Sequence, residues 1–195
     1  MRIISGKYRG RQLQTLKGGK LRPTSDQLRE TLFDVLGPGI VGARFLDAYA
    51  GSGAVGLEAL SRGASEVVFI EHHRAAATLI RQNLDALEIT SGYRLVTRDV
   101  LDALERLGNE GARFDVVFLD PPYTEIREYH HALRQLARGK LLGPESLVVA
   151  EHSRHTELEE RYGALARVRL LRQGDAQLAS YRLAPEPSPA EDLTV

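Results

Sequence analysis

Runs that are apolar on both sides alternate along this chain with segments whose apolar positions return every three or four residues. Val67-Val68-Phe69-Ile70 and Val116-Val117-Phe118-Leu119 form the cores of the first kind, within Glu66–Glu71 and Phe114–Leu119. Arg44–Asp47, Tyr93–Thr97 and Leu147–Ala150 read as further, shorter strands. Val55–Arg62, Arg74–Leu87, Leu101–Leu107 and Glu125–Arg138 are of the second kind. A strand that is apolar on both faces must be covered on both, and intervening helices do the covering. The alternation therefore predicts an α/β fold with a parallel sheet between helical layers. The ends depart from the pattern. Arg2–Lys7 and Arg11–Leu16 flank Tyr8-Arg9-Gly10 and predict a short β-hairpin. Thr24 or Ser25 can cap a helix running to about Leu36, stopped by Gly37-Pro38-Gly39. Ala166–Arg172 and Gln177–Leu183, joined through Gly174-Asp175, predict a second hairpin. From Ala184 to Val195 the prolines Pro185, Pro187 and Pro189 mix with acids, which predicts a disordered tail.

Composition narrows the chemistry. The 195 residues contain no cysteine, which excludes disulfides, zinc ribbons, iron–sulfur clusters and thiol nucleophiles. No apolar run approaches the ~18 residues of a membrane span. The opening Met1-Arg2-Ile3-Ile4-Ser5-Gly6 lacks the apolar stretch of a signal peptide, so a cytoplasmic protein without membrane contact is expected. Net charge is zero, but unevenly spread. Residues 1–30 hold eight basic and two acidic side chains, leaving the remainder six charges negative. A basic arm on an acidic body is a candidate nucleic-acid surface. Arg2, Lys7, Arg9, Arg11, Arg22 and Arg29 are its candidate phosphate contacts.

Two motifs carry the chemistry. After the first sheet strand, Gly51-Ser52-Gly53-Ala54-Val55-Gly56 fits G-x-G-x-x-G, whose glycines let backbone and a helix N-terminus approach a ligand. Glu71 ends the next strand, where a carboxylate can accept two hydrogen bonds from a ribose diol. A nucleoside-type cofactor follows. Asp47, at the end of the first strand, suits the positive end of a ligand rather than a pyrophosphate, and Asp99 with Val100 follows the third strand, near an adenine amine. Three strand-end acids favour cationic S-adenosylmethionine over a dinucleotide. The fourth strand ends in Asp120-Pro121-Pro122-Tyr123, at the sheet edge where open α/β folds bind ligands. The histidines offer no three-ligand metal site: His72-His73 and His130-His131 are adjacent pairs, and His152 and His155 lack a clear third partner.

The glycine loop with Asp-Pro-Pro-Tyr resembles the S-adenosylmethionine-dependent amino-group methyltransferases. Met1–Gly10, then Arg22-Pro23-Thr24-Ser25-Asp26 with Arg29-Glu30-Thr31-Leu32-Phe33, then the segment from Ala50 to Ala64 resemble, more narrowly, the bacterial RsmD family. The resemblance spans about residues 1–183. It implies a Rossmann-like class I methyltransferase fold: a mostly parallel seven-stranded sheet with a C-terminal antiparallel hairpin, plus a small N-terminal β-hairpin and helix. It divides the chain into a basic hairpin (1–21), a methyltransferase domain (22–183) and a tail (184–195). It implies methylation of a guanine N2 amine in 16S ribosomal RNA of the small subunit, by a chain expected to be a monomer. A conjugated exocyclic amine is a poor nucleophile. The Asp120 carboxylate, also expected among the cofactor-binding residues, and the Pro121 carbonyl are placed to accept its two hydrogens, Pro122 to fix the turn, and Tyr123 to stack on an unstacked base. Tyr49 stands where many methyltransferases have glycine, so its ring is expected beside the cofactor. A DNA adenine-N6 or cytosine-N4 methyltransferase would share this chemistry but usually carries a target-recognition insertion. A non-catalytic RNA-binding assembly protein would not need Asp47, Glu71, Asp120 and Tyr123 together.

Overall fold

The computed structural model describes residues 1–15, 25–122 and 125–184. Its strands are β1 (Arg44–Asp47), β2 (Glu66–Ile70), β3 (Tyr93–Val96), β4 (Phe114–Leu119), β5 (Leu142–Ser153), β6 (Arg161–Tyr162), β7 (Leu165–Gln173) and β8 (Ala176–Leu183). They form one sheet in the order β3-β2-β1-β4-β5-β8-β7-β6. The first five are parallel, and β8, β7 and β6 follow antiparallel. The helices are α1 (Asp26–Leu36), α2 (Ala54–Ser61), α3 (Arg74–Ala86), α4 (Val100–Asn109) and α5 (Ile126–Arg138). Ser25 caps α1 by accepting from Leu28 N–H at 3.1 Å.

Strand alternation sorts the apolar side chains into two layers. Leu46, Val68, Val117, Leu119 and Ala150 pack with Leu104, Leu107, Leu133 and Leu136 of α4 and α5. Phe45, Val67, Phe69, Phe118 and Val149 pack with Leu32, Phe33, Leu57 and Ile80 of α1, α2 and α3. Strand order reverses between β1 and β4, and the C-terminal ends of strands at such a reversal are where open α/β sheets bind ligands.

Three details differ from the sequence expectation. The eighth strand is β6, whose two residues are too few to show a hydrophobic period. β5 begins five residues earlier than its apolar run, through Gly143-Pro144-Glu145-Ser146. Ser146 Oγ holds that irregular entry by accepting from Gly143 N–H and donating to Phe114 O. At the N-terminus two regular strands give way to a single bridge, Arg2 to Gln12. The reason lies in α2. Ile4 and Ser5 N–H donate to the buried Glu58 carboxylate at 2.8 and 3.0 Å, and Lys7 N–H donates to Ser61 O at 2.7 Å. With Ile3 and Leu13 buried, the first residues are packed on the body rather than held away from it. The expected boundary at residues 21–22 and nearly all of the tail lie outside the described residues.

Candidate active site

The face of the sheet that carries Phe69, Phe45, Phe118 and Val149 continues, by alternation, to Glu71, Asp47, Asp120 and Glu151. Asp47 stands level with Phe69 and Phe118. Glu71 and Asp120 therefore come one row above it. Leu119 pairs with Ala150, so Asp120 lies beside Glu151. Four neighbouring strands thus each present one acid at the C-terminal edge, on one face.

Asp47 is 1% exposed. Its Oδ2 accepts from Gly56 N–H at 2.9 Å, in the first turn of α2. Burial lifts its carboxyl from the ordinary 3.8 to about 7, the Gly56 hydrogen bond opposes this, and the charge of Glu71 adds to it. Glu71 accepts from Gly51 N–H at 2.9 Å and from His73 N–H at 2.7 Å, so it braces the glycine loop from the neighbouring strand. The loop's shape needs glycine at Gly53, which has φ 78° and begins α2. Gly56 meets a different constraint: a Cβ there would lie 2.2 Å from Phe69 Cε1. The Tyr49 hydroxyl donates to Glu128 at 3.2 Å, and burial with the Glu128 carboxylate raises its phenol. Asp99 is exposed and caps α4, accepting from Leu101 N–H at 2.9 Å, while Val100 is buried as the first residue of that helix.

Asp120 is half-buried and Pro121 buried, at the end of β4. Tyr129 of α5 fixes this turn to β5: its hydroxyl lies 2.8 Å from Glu151 O and 3.2 Å from Pro121 O. Tyr123 and Arg22 lie outside the described residues.

Arg2, Lys7, Arg9 and Arg11 are exposed. Arg29 is not, and this contradicts the phosphate contact expected of it. Its side chain is 0% exposed and its Nη2 donates to Arg2 O at 2.7 Å and Asp26 Oδ1 at 2.9 Å. A guanidinium so enclosed serves the fold, not a ligand at the surface. Its sequence position one helical turn before Leu32 and Phe33, on the buried stripe of α1, is the signal that could have shown this.

Asn83, Glu58, Tyr129 and Glu151 were not legible as site residues in the sequence. Asn83, buried in α3, accepts from Gln14 N–H at 2.8 Å and donates to Ser52 O at 3.1 Å, coupling the N-terminal segment to the glycine loop. A polar residue on a buried helical stripe was the only hint. Among the described residues no group of three or more metal-ligating side chains is arranged to hold a metal ion. A cavity of about 660 Å³ between α4 and the C-terminal half of α5, lined by Arg134, Arg138 and Lys140 among others, includes none of the four acids.

Comparison with known proteins adds to this geometry. The family profile described as conserved hypothetical protein 95 matches residues 1–182. The ribosomal RNA small subunit methyltransferase D of Haemophilus influenzae is 38% identical over 184 residues, 94% of this chain and 92% of that one. A solved Escherichia coli protein superposes with TM-score 0.82 at 32% identity, over 95% of this chain and 99% of that one. The Thermus thermophilus 16S rRNA N2 G1207 methyltransferase, solved with AdoMet and guanosine, superposes with TM-score 0.69 at 27% identity, over 87% of this chain and 45% of that one.

Proposed function

From the premise that the chain belongs to the conserved hypothetical protein 95 family, the family of the small subunit methyltransferase D enzymes, we propose that it methylates the N2 amine of a guanine in 16S ribosomal RNA, with S-adenosylmethionine as donor. The observation that carries this reading is the row of acids: Glu71 and Asp47 at the glycine loop, and Asp120 next to them across the strand reversal.

The residues present fit the cofactor. A carboxyl as buried as Asp47 and held near neutrality is poised to ionise when a cation arrives. That matches the α-ammonium of S-adenosylmethionine. Glu71 keeps lone pairs for a ribose diol beyond its two backbone donors, because a carboxylate has about four acceptor sites. Asp99 stands beyond β3 on the adenine side. When bound, the cofactor supplies an electrophilic methyl on a sulfonium.

The protein's part is positioning. The Asp120 carboxylate and Pro121 carbonyl accept the two hydrogens of the target amine. This draws the nitrogen toward a pyramidal shape and localises its lone pair. Tyr129 keeps Pro121 and β5 in fixed relation. The methylated nitrogen is strongly acidic, and its proton passes to Asp120 or to water. Tyr123, by its place in the motif, stacks on the base. Arg2, Lys7, Arg9 and Arg11 face solvent as the phosphate surface, with the small subunit or an assembly intermediate as partner.

The test is transfer of labelled methyl from S-adenosylmethionine to small subunits, bare 16S RNA and DNA, followed by nucleoside analysis. N2-methylguanosine from 16S RNA is the expected product. N6-methyladenine from DNA overturns the substrate assignment.

A further inference from the structure

We propose that Glu151 is the residue that reads the target base: its carboxylate accepts the N1–H of guanine and so excludes purines that lack that proton. This inference rests on the site being a guanine-N2 methyltransferase.

Glu151 is 3% exposed, at the end of β5. It is the next acid along the row from Asp120, on the side away from the glycine loop. Adjacent strands lie about 4.8 Å apart, so the backbones of Asp120 and Glu151 are close neighbours. Glu151 also lines a cavity of about 560 Å³, shared with Ser25, Gln27, Ser153, Gln173 and the Arg154–Asp175 ion pair, whose atoms lie 3.2 Å apart. That volume lies within the ~300–1,000 Å³ typical of small-ligand sites and can hold a base removed from its stack. The row thus divides into two halves. Glu71 and Asp47 stand at the glycine loop, Asp120 lies between the halves, and Glu151 lines the cavity on the far side.

The cavity has a bias in hydrogen bonding. Gln173 pairs with Ala176, which pairs with Ser153, so Gln173, Ser153 and Glu151 share one face of the sheet. Gln173 Oε1 is shielded from solvent and has no hydrogen-bond partner among the described residues. A shielded acceptor without a donor costs free energy, and a ligand that brings a donor recovers it. Glu151 contributes a second acceptor, since a carboxylate can take several donors at once. These two acceptors favour a ligand edge that carries N–H groups. The Watson–Crick edge of guanine has the N2 amine and N1–H side by side, whereas adenine and 2-aminopurine have a bare N1. With the N2 hydrogens on Asp120 and Pro121 O, the adjacent N1–H points to the next acceptor in the row, which is Glu151. The bond from Tyr129 to Glu151 O, 2.8 Å, sets where that acceptor stands relative to the Asp-Pro-Pro turn.

The decisive substrate is 16S RNA carrying 2-aminopurine in place of the methylated guanine, reconstituted into small-subunit particles. It keeps the 2-amine and loses N1–H. Single-turnover transfer by the wild type is expected to be at least about 100-fold slower than to guanine, because the analogue leaves a buried acceptor unpaired. Glu151→Gln can donate to a bare N1. It should slow transfer to guanine and bring the two substrates within about 10-fold of each other, with S-adenosylmethionine affinity unchanged. Glu151→Asp keeps the carboxylate and should keep the discrimination, which a merely structural role would not require. A wild type that methylates both substrates alike overturns the proposal, as does a Glu151→Gln enzyme with wild-type selectivity. If the Gln variant loses cofactor affinity, loss of discrimination by a cofactor-binding Glu151→Asp enzyme overturns it instead. Wild type that makes no N2-methylguanosine on the guanine particles fails the functional reading itself, and the inference with it.

Discussion

Asp47 should make cofactor binding depend on pH in a way that a surface carboxylate would not. Its carboxyl titrates near 7 because burial disfavours the charge. A cationic ligand needs that charge. With a free-protein value of about 7, the ionised fraction is about three quarters at pH 7.5 and about 3% at pH 5.5. The association constant should therefore fall about 25-fold over that interval, or about 2 kcal/mol. The interval stops at pH 7.5 because the cofactor's own α-ammonium, near 7.7–8.0, loses its proton above it. Calorimetric titration of the wild type and Asp47→Asn reads the effect, and the ratio of the two profiles removes contributions from other groups. Asp47→Asn keeps an acceptor for Gly56 N–H, so the loop should hold. It should bind more weakly at pH 7.5, by about 1.5–3 kcal/mol for a lost charged partner. The same group has the opposite sign in the ligand-free protein. Its folded value lies above the unfolded 3.8, so its stabilising contribution is complete below 3.8 and is lost as pH rises through about 7. The loss is about 4 kcal/mol at most. Asp47→Asn should therefore raise the melting temperature at pH 8 and leave it nearly unchanged at pH 4. Parallel pH profiles for wild type and variant would refute the reasoning.

Three further outcomes follow from the geometry. Asp120→Ala should cut single-turnover methyl transfer by 100-fold or more, about 3 kcal/mol, while S-adenosylmethionine affinity changes little; near wild-type turnover would reduce Asp-Pro-Pro-Tyr to a strand terminator. Gly56→Ala places a methyl 2.2 Å from Phe69 Cε1 and should cost about 1–3 kcal/mol in urea unfolding, with Phe69→Leu restoring part of it in the double variant. Neutralising Lys7 and Arg9 together should weaken 16S RNA binding and flatten its dependence on salt by up to about two units of slope, without changing cofactor affinity. Substitution is a cleaner test than truncation here. Removing the first residues would strip Glu58 and Asn83 of their backbone partners and disturb the glycine loop through Ser52.

Much of the molecule is written in local pattern. Continuous apolar strands separated by helical stripes, with Gly51–Gly56 and Asp120–Tyr123 at strand ends, determine by themselves a doubly covered sheet with a ligand edge. Each depends only on neighbours a few residues apart. Those residues also carry the family resemblance, and so the reaction. What the sequence could not decide were the contacts between distant segments. The charge of Arg29 looks the same in a sequence whether it meets a phosphate or Asp26 and the Arg2 carbonyl. Only the packing of α1 under the N-terminal segment encloses it. Glu151 reads as one more acid after a short strand until β4 and β5 pair in register and bring it beside Asp120. Glu58 and Asn83 are helix-interior polar residues that take up N–H groups of the N-terminal segment, 53 to 69 residues away along the chain. Local sequence thus determined the elements and the reactive motifs. Tertiary structure alone decided which charges are buried and which acids stand together, because burial and strand register exist only when remote segments meet.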